Sequence, residues 1–401
     1  MRTMSLGTIA MGFALLRGIR VLDLSQYIPG PYTTRLLADL GADVLKIEPP
    51  GGEPMRRIGV ADRDGVAPEY KVINGGKSVL ELDLKSLEGK KALEALLPAA
   101  DILVESYRPG VLARLGFPPE RLKLINPRLV HCALSGWGQT GPYRDKPGHD
   151  INYMALGGGL IASGATAAPV MGFPPVSDYA SALHAALTIV AALFARERGE
   201  PRTHLDVSLM ETVLAWQSIS LTLAARAQPP QRGRALLNGG LASYNVYVTA
   251  DGRFVSLGIV RERKFWSNFC EAVGRSDLIA RFDEPLPQVD LIETVAALFA
   301  GAPLTHWQGV LASAETCFEP VADLRDVPQH PQVQARRLIQ ATEGTEPLIE
   351  VRYPAWLDGE PPQPRRAMRV ITLDDLPEAW CDQSSLGVSR ADSAARKPAS
   401  G

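Results

Sequence analysis

Short apolar runs alternate with segments of helical period through the first half of the chain. Residues 19–24, 44–47, 102–105 and 129–134 read as strands, and 32–40 and 87–97 as helices between them. Regular strand–helix succession predicts an α/β fold, a parallel sheet wrapped by helices. Such sheets place ligands at the carboxyl ends of their strands, where 25–31 and 106–110 fall. Residues 177–198 predict a long helix, since Ala182, Ala185, Ala186, Val190 and Leu193 recur at helical spacing. With Ser177 as its cap, Asp178 occupies the first turn, where the helix dipole favours a carboxylate. A helical pattern over 208–227 then leaves the sheet.

The pattern changes after residue 235. Two alternating runs, 244–248 and 254–257, flank Asp251-Gly252, a pair that supplies positive φ for a hairpin. Helices over 263–272 and 291–299 complete a smaller α+β domain. The expected organisation is a disordered extension at 1–14, a large α/β domain at 15–205 and a helical linker at 206–234. The small domain follows at 235–320, then a return segment at 321–382 that packs on the large domain, and a disordered tail at 383–401. Met1-Arg2 before an apolar stretch suggests a signal peptide, but no small-residue cleavage site follows. No other run is expected to span a bilayer, so the reading is cytoplasmic, with no membrane partner.

A formal net charge of −2 over 401 residues gives no basic field, which argues against nucleic acid as a partner. Cys132, Cys270, Cys317 and Cys381 are far apart and read as thiols of a reducing compartment. The six histidines form no metal-ligand spacing, so no metal is expected. The first βα turn lacks Gly-x-Gly-x-x-Gly, which weighs against a noncatalytic dinucleotide-binding protein.

The chemistry centres on Gly148-His149-Asp150-Ile151-Asn152-Tyr153 and on Asp178. An imidazole and a carboxylate flanking one carbon suit moving a proton from one of its faces to the other. On chemistry alone, a hydrogen-bonded structural pair and an ordinary first-turn acid remain the commoner meanings of these residues. The motifs around them change that balance. Gly30-Pro31 follows the first strand, Glu105-Ser106-Tyr107-Arg108-Pro109-Gly110 the strand at 102–105, and Ser135-Gly136-Trp137-Gly138-Gln139-Thr140-Gly141-Pro142 precedes the histidine. In this order they resemble the family III CoA transferases and the related α-methylacyl-CoA racemases, from about residue 15 to about residue 337.

The resemblance implies a Rossmann-like large domain with a smaller second one, and a homodimer of interlocked chains. The substrate is then an acyl-CoA, and coenzyme A enters only as part of that thioester, with no permanently bound cofactor. His149 and Asp178 become the catalytic residues. Arg108 and Arg114 match family arginines that meet CoA, and arginine suits bidentate phosphate binding. Lys77, Tyr107, Gly30 and Pro31 join them as CoA contacts, and Gly239-Gly240 matches a glycine segment that in the family lies over the active site. Pro49 stands where racemases usually carry a phosphate-binding arginine, so Lys77 or Lys46 is the expected substitute.

Two reactions fit. In a racemase, His149 and Asp178 exchange the α-proton of a 2-methylacyl-CoA; in a transferase, Asp178 alone forms acyl and CoA adducts. Ile28 replaces the glutamine of formyl-CoA-type transferases, while Tyr179-Ala180-Ser181 replaces the glycines that racemases carry after the aspartate. Residues 258–263 also lack the racemase Gly-x-x-Glu-Pro string. Epimerisation is the preferred reading, with CoA transfer as the alternative.

Overall fold

The computed structural model describes residues 15–164, 167–343 and 346–380; the expected extension at 1–14, the tail at 383–401 and Cys381 lie outside the described residues. In chain order the main elements are β1 (Arg20–Leu24), α1 (Pro29–Asp39), β2 (Asp43–Glu48), α2 (Pro68–Ile73), β3 (Ser78–Glu81), α3 (Leu87–Leu96), β4 (Ile102–Glu105), α4 (Val111–Arg114), α5 (Pro119–Ile125) and β5 (Val130–Ser135). There follow α6 (Asp150–Leu156), α7 (Val176–Glu197), β6 (His204–Ser208), α8 (Leu209–Trp216), α9 (Ser218–Ala225), β7 (Tyr244–Val248), β8 (Phe254–Gly258), α10 (Arg263–Ala272), α11 (Val289–Ala300), α12 (Leu304–Leu311) and β9 (Phe318–Pro320).

Two compact units share the chain. The first comprises Met1–His149, Ser177–Thr212 and Gln334–Gly401. Its seven-stranded sheet has the order β3-β2-β1-β4-β5-β6, with the strand Arg369–Ile371 added beside β3. Every neighbouring pair is parallel. The central strands are mainly apolar on both faces because both are covered, with a few buried charged residues among them. Leu22, Leu45 and Leu103 pack towards Leu93, Leu96 and Leu122 of α3 and α5. Val21, Val44, Ile102 and Val130 pack on the other face, with Ala185, Ile189 and Leu193 of α7. Strand order reverses between β1 and β4, the kind of point at which parallel α/β sheets bind ligands beyond the carboxyl ends of their strands.

By length and composition alone, α7 could cross a membrane, which corrects the expectation that no such run occurs. Its apolar character has a structural use here, since Ala182, Ala185, Ile189 and Ala192 are buried in the core. The helix begins at Val176, one residue before the expected cap Ser177, and Asp178 lies in its first turn.

The second unit comprises Asp150–Val176 and Val213–Val333. Its antiparallel sheet β7-β8-β9 packs with α10, α11 and α12 around Tyr247, Trp266, Phe269, Phe299 and Trp307. The hairpin forms around Asp251-Gly252 as its sequence predicts. Residues 150–176, assigned by pattern to the large domain, belong to this unit. Val213 lies against Gly157, where an added Cβ would come within 2.8 Å of it, and Asn238 Nδ2 donates to the Ala162 carbonyl at 3.0 Å.

Candidate active site

The turn from Ser25 to Pro31 is supported from below by buried charge. Asp23, between Leu22 and Leu24 in β1, accepts from Ser25 N at 2.9 Å, from Thr34 Oγ1 at 2.6 Å and from Lys77 Nζ at 2.9 Å; Ser25 Oγ also donates to it. Lys46 Nζ donates to the Ser25 carbonyl at 2.7 Å and pairs with Glu53 Oε1 at 3.1 Å. Glu48 accepts from Tyr70 Oη at 2.5 Å and Arg56 Nε at 2.6 Å. Burial alone would push the Asp23 carboxyl up, but Lys46 and Lys77, with the two hydroxyl donors, hold it far below the usual carboxylate range. The Lys46 ammonium is likewise raised, because Asp23, Glu53 and Glu48 outweigh its burial.

Above this base the backbone is tightly fitted. A Cβ on Gly30 would stand 2.1 Å from Ser25 Cβ, so glycine is required where α1 starts against the end of β1. Tyr27 adopts φ 64°, an unusual value for a non-glycine residue, and its N–H donates to Glu53 Oε2 at 2.8 Å. Its ring meets the His149 imidazole edge-on, with centroids 6.3 Å apart. Five residues later, the Tyr32 ring meets Tyr179 at 4.7 Å, next to Asp178. Thr33 Oγ1 also reaches the Ala182 carbonyl at 3.3 Å. The turn therefore carries Tyr27 to His149, and the start of α1 carries Tyr32 to Tyr179, the residue that follows Asp178. His149 is exposed and Asp178 half-buried. The segment leading to His149 is braced by Trp137 Nε1, which donates to the Lys146 carbonyl at 2.9 Å, and by the Lys146 ammonium 3.9 Å from the Tyr143 ring centroid.

The loop after β4 lies beside the β1 turn. Ser106 Oγ accepts from Gln26 N at 2.9 Å, which joins it to the β1 turn. Arg108 and Arg114 are both exposed, as binding an anion requires. Gly110 has φ 79°, and a Cβ built on it would lie 3.3 Å from Arg114 Nη1 and 3.5 Å from Arg144 Nη2. Two guanidinium groups thus converge over a glycine that leaves them room. Tyr107 N donates to Glu105 Oε2 at 2.7 Å, while burial and the adjacent Glu105 push the Tyr107 phenol up to about 12.

The model of CoA-transferase family III matches residues 16–368. The chain belongs to this family. It is 33% identical to an acetyl-CoA:oxalate CoA-transferase of Acetobacter aceti, over 80% of this chain and 84% of the relative. It is 32% identical to the human α-methylacyl-CoA racemase, over 79% of this chain and 80% of that one. A crystal structure of a CAIB/BAIF family protein from Brucella suis superposes with a TM-score of 0.78 at 25% identity, covering 88% of this chain and 96% of that one.

In this family III chain Lys77 has a different place from the one its sequence suggested. It is fully buried, and its ammonium donates to Asp23, to the Pro31 carbonyl at 2.8 Å and to Asn74 Oδ1 at 2.8 Å. Those three bonds use its three donors, leaving none for a phosphate. Lys46 is buried in the same way and cannot replace an arginine at Pro49. Both lysines shape the turn from beneath.

Gly239, in the second unit, lines an open groove of about 940 Å³ with Asn238, Tyr244 and Asn245, while Gly240 beside it is buried. They are tied rather than loose: Gly240 N donates to Ala235 O and Gln288 N to Gly240 O, both at 2.9 Å. The sequence reading missed Asp23, Tyr27, Glu53 and Arg144. An acid flanked by leucines in a strand covered on both faces was a usable signal for Asp23; nothing comparable marked Tyr27 or Arg144.

Proposed function

We propose that this enzyme epimerises the α-carbon of 2-methylacyl-CoA thioesters by proton transfer between His149 and Asp178. The observation that carries this reading is the placement of His149 against Tyr27, on the turn whose helix also reaches the residue beside Asp178 through Tyr32. One base removes the α-proton, the thioester oxygen takes the enolate charge, and the other acid returns a proton from the opposite face. The first-turn position of Asp178 favours its ionised form through the helix dipole. Arg108 and Arg114 hold the phosphate end of CoA, away from the reacting carbon, and Tyr107 and the Gly30-Pro31 turn bound the path between.

The test is incubation of one epimer of a 2-methylacyl-CoA in deuterium oxide without any carboxylic acid acceptor. Deuterium should enter the α-position, and His149→Ala should slow this by about a hundredfold or more, as loss of a general acid or base does. An unchanged rate in that variant rejects the assignment.

A second reading is supported by the residues after Asp178, where Tyr179-Ala180-Ser181 replaces the racemase glycines, and by relatives named as transferases. Here the Asp178 carboxylate attacks a donor thioester to give a mixed anhydride and CoA thiolate. The thiolate then attacks the aspartyl carbonyl, releasing the donor acid and leaving an enzyme thioester from which the acceptor acid collects CoA. Hydroxylamine trapping at Asp178 during turnover, with activity retained in His149→Ala, selects this route. Exposed Leu183, Leu187 and Phe194 on α7 support a homodimer as the working form.

A further inference from the structure

Glu105 is a buried carboxylate, its side chain only 7% exposed, at the end of β4 where the arginine loop begins. One of its oxygens accepts the Tyr107 N–H and so sets the course of the chain into Arg108. Among the described residues no lysine or arginine forms an ion pair with it. The positively chargeable group beside it is the buried imidazole of His131, whose Nε2 stands 3.7 Å from Glu105 Oε1. His131 lies on the neighbouring strand β5, opposite Leu103, and so projects from the same sheet face as Glu105.

The other side of the His131 ring fixes its protons. Its Nδ1 is 3.2 Å from Nδ1 of His204, its direct partner on β6. One of these nitrogens must donate. If neutral His131 donated there, its Nε2 would turn a lone pair towards the Glu105 carboxylate. If His204 donates, His131 Nε2 carries the hydrogen and faces the carboxylate favourably. Burial and His131 itself both pull the His204 pKa down, consistent with a neutral donor at that position. The Nε2 atom of His131 has no hydrogen-bond partner at normal length, so Glu105 is the group it is available to hold.

We propose that His131 is a positioning residue: backed by His204, it holds the Glu105 carboxylate that anchors the Tyr107–Gly110 loop and thereby sets Arg108 for the phosphate end of CoA. The functional half of this inference rests on the acyl-CoA reading above; the link from His131 to the loop does not. The groups facing this chain are Glu105, His204 and Asp206 on the strands and Glu120 and Lys123 from α5, while Cys132, the next residue on β5, packs on the other sheet face.

Hydrogen exchange and calorimetry on the full chain separate the two halves. His131→Phe keeps a ring but removes both nitrogens, whereas His131→Gln retains a donor able to point at Glu105. In His131→Phe the Tyr107 amide should exchange about tenfold faster, a local opening of one loop, and His131→Gln should recover most of the protection. CoA affinity should fall about fivefold or more in His131→Phe, with little change for pantetheine, as expected when binding shared by all states is lost. If His131→Phe does not fold, Glu105→Gln replaces it: Tyr107 keeps an acceptor but the charge facing His131 is gone. Unchanged exchange at Tyr107, or a glutamine variant as impaired as the phenylalanine one, overturns the link. Faster exchange in a protein whose CoA affinity is unchanged, or falls equally for pantetheine, overturns the phosphate role instead.

Discussion

The two sides of the β1 turn use charge in opposite ways. Beneath it Asp23, Lys46 and Lys77 are fully buried, Glu48 and Glu53 nearly so, and the donors of Lys77 are all committed. Above it His149, Arg108 and Arg114 are exposed and Asp178 is half-buried. Buried ions are costly unless satisfied, so the lower set works as a rigid base with no capacity for a ligand. The upper set keeps solvent-facing chemistry and is held in place by ring contacts and loop backbone. The difference teaches that charge alone does not mark a binding residue in this fold. Lysine beneath the turn and arginine beside it look equivalent in sequence, yet Lys46 and Lys77 are buried and Arg108 and Arg114 are exposed.

That comparison predicts that variants above the turn cost activity and variants below it cost stability. The largest effect belongs to Asp178→Ala, since both candidate reactions use this carboxylate. Turnover should fall about a hundredfold or more while the melting temperature moves little, because a half-buried first-turn acid contributes modestly to folding. A variant that unfolds without losing specific activity would place Asp178 with the structural charges.

Below the turn, Lys77→Met should destabilise the protein by about 3–5 kcal/mol, the usual result of leaving one member of a buried ion pair without its partner. Urea titration measures this directly. Asp23→Asn with Lys77→Met should recover part of the loss, because the second change removes the stranded charge. No recovery would mean that Lys77 acts chiefly by packing against Asn74 and Pro31.

Much of the sheet was legible because both of its faces are covered: runs such as Val44-Leu45 and Leu103-Val104 must be apolar throughout, and helices must intervene. The second-unit hairpin was legible from Asp-Gly. The buried charges were not. Lys77 follows two glycines and reads as a residue free to meet CoA, whereas its partner Asp23 lies 54 positions away on β1. The His131–Glu105 approach was hidden for the same reason, since it depends on β4 and β5 being adjacent and in register. Residues 150–176 were assigned by their position after His149, and only their packing reveals which unit holds them.

Acid should weaken the lower side through Asp23. The Asp23 carboxyl titrates lower in the fold than in the unfolded chain, so its contribution is present above the unfolded value of about 4 and is lost as pH falls below it. The gap in stability between the wild-type chain and Asp23→Asn should therefore narrow from pH 7 to pH 3.5, followed by urea melts. A gap that stays constant would show that the carboxylate charge is not what Asp23 supplies.

The smallest effect, and the sharpest test of the upper side, concerns the arginines. CoA phosphates take no part in bond making, so a residue that holds them contributes equally to ground and transition states. Arg108→Ala or Arg114→Ala should raise the acyl-CoA KM several-fold with a smaller change in kcat. The same variants should behave like the wild-type chain towards a pantetheine thioester, which lacks those phosphates. Because both arginines are exposed, their melting temperatures should stay close to wild type. Equal impairment with both substrates would move these residues to the structural side of the comparison, leaving Arg144, whose guanidinium also stands over Gly110, to be tested in the same way.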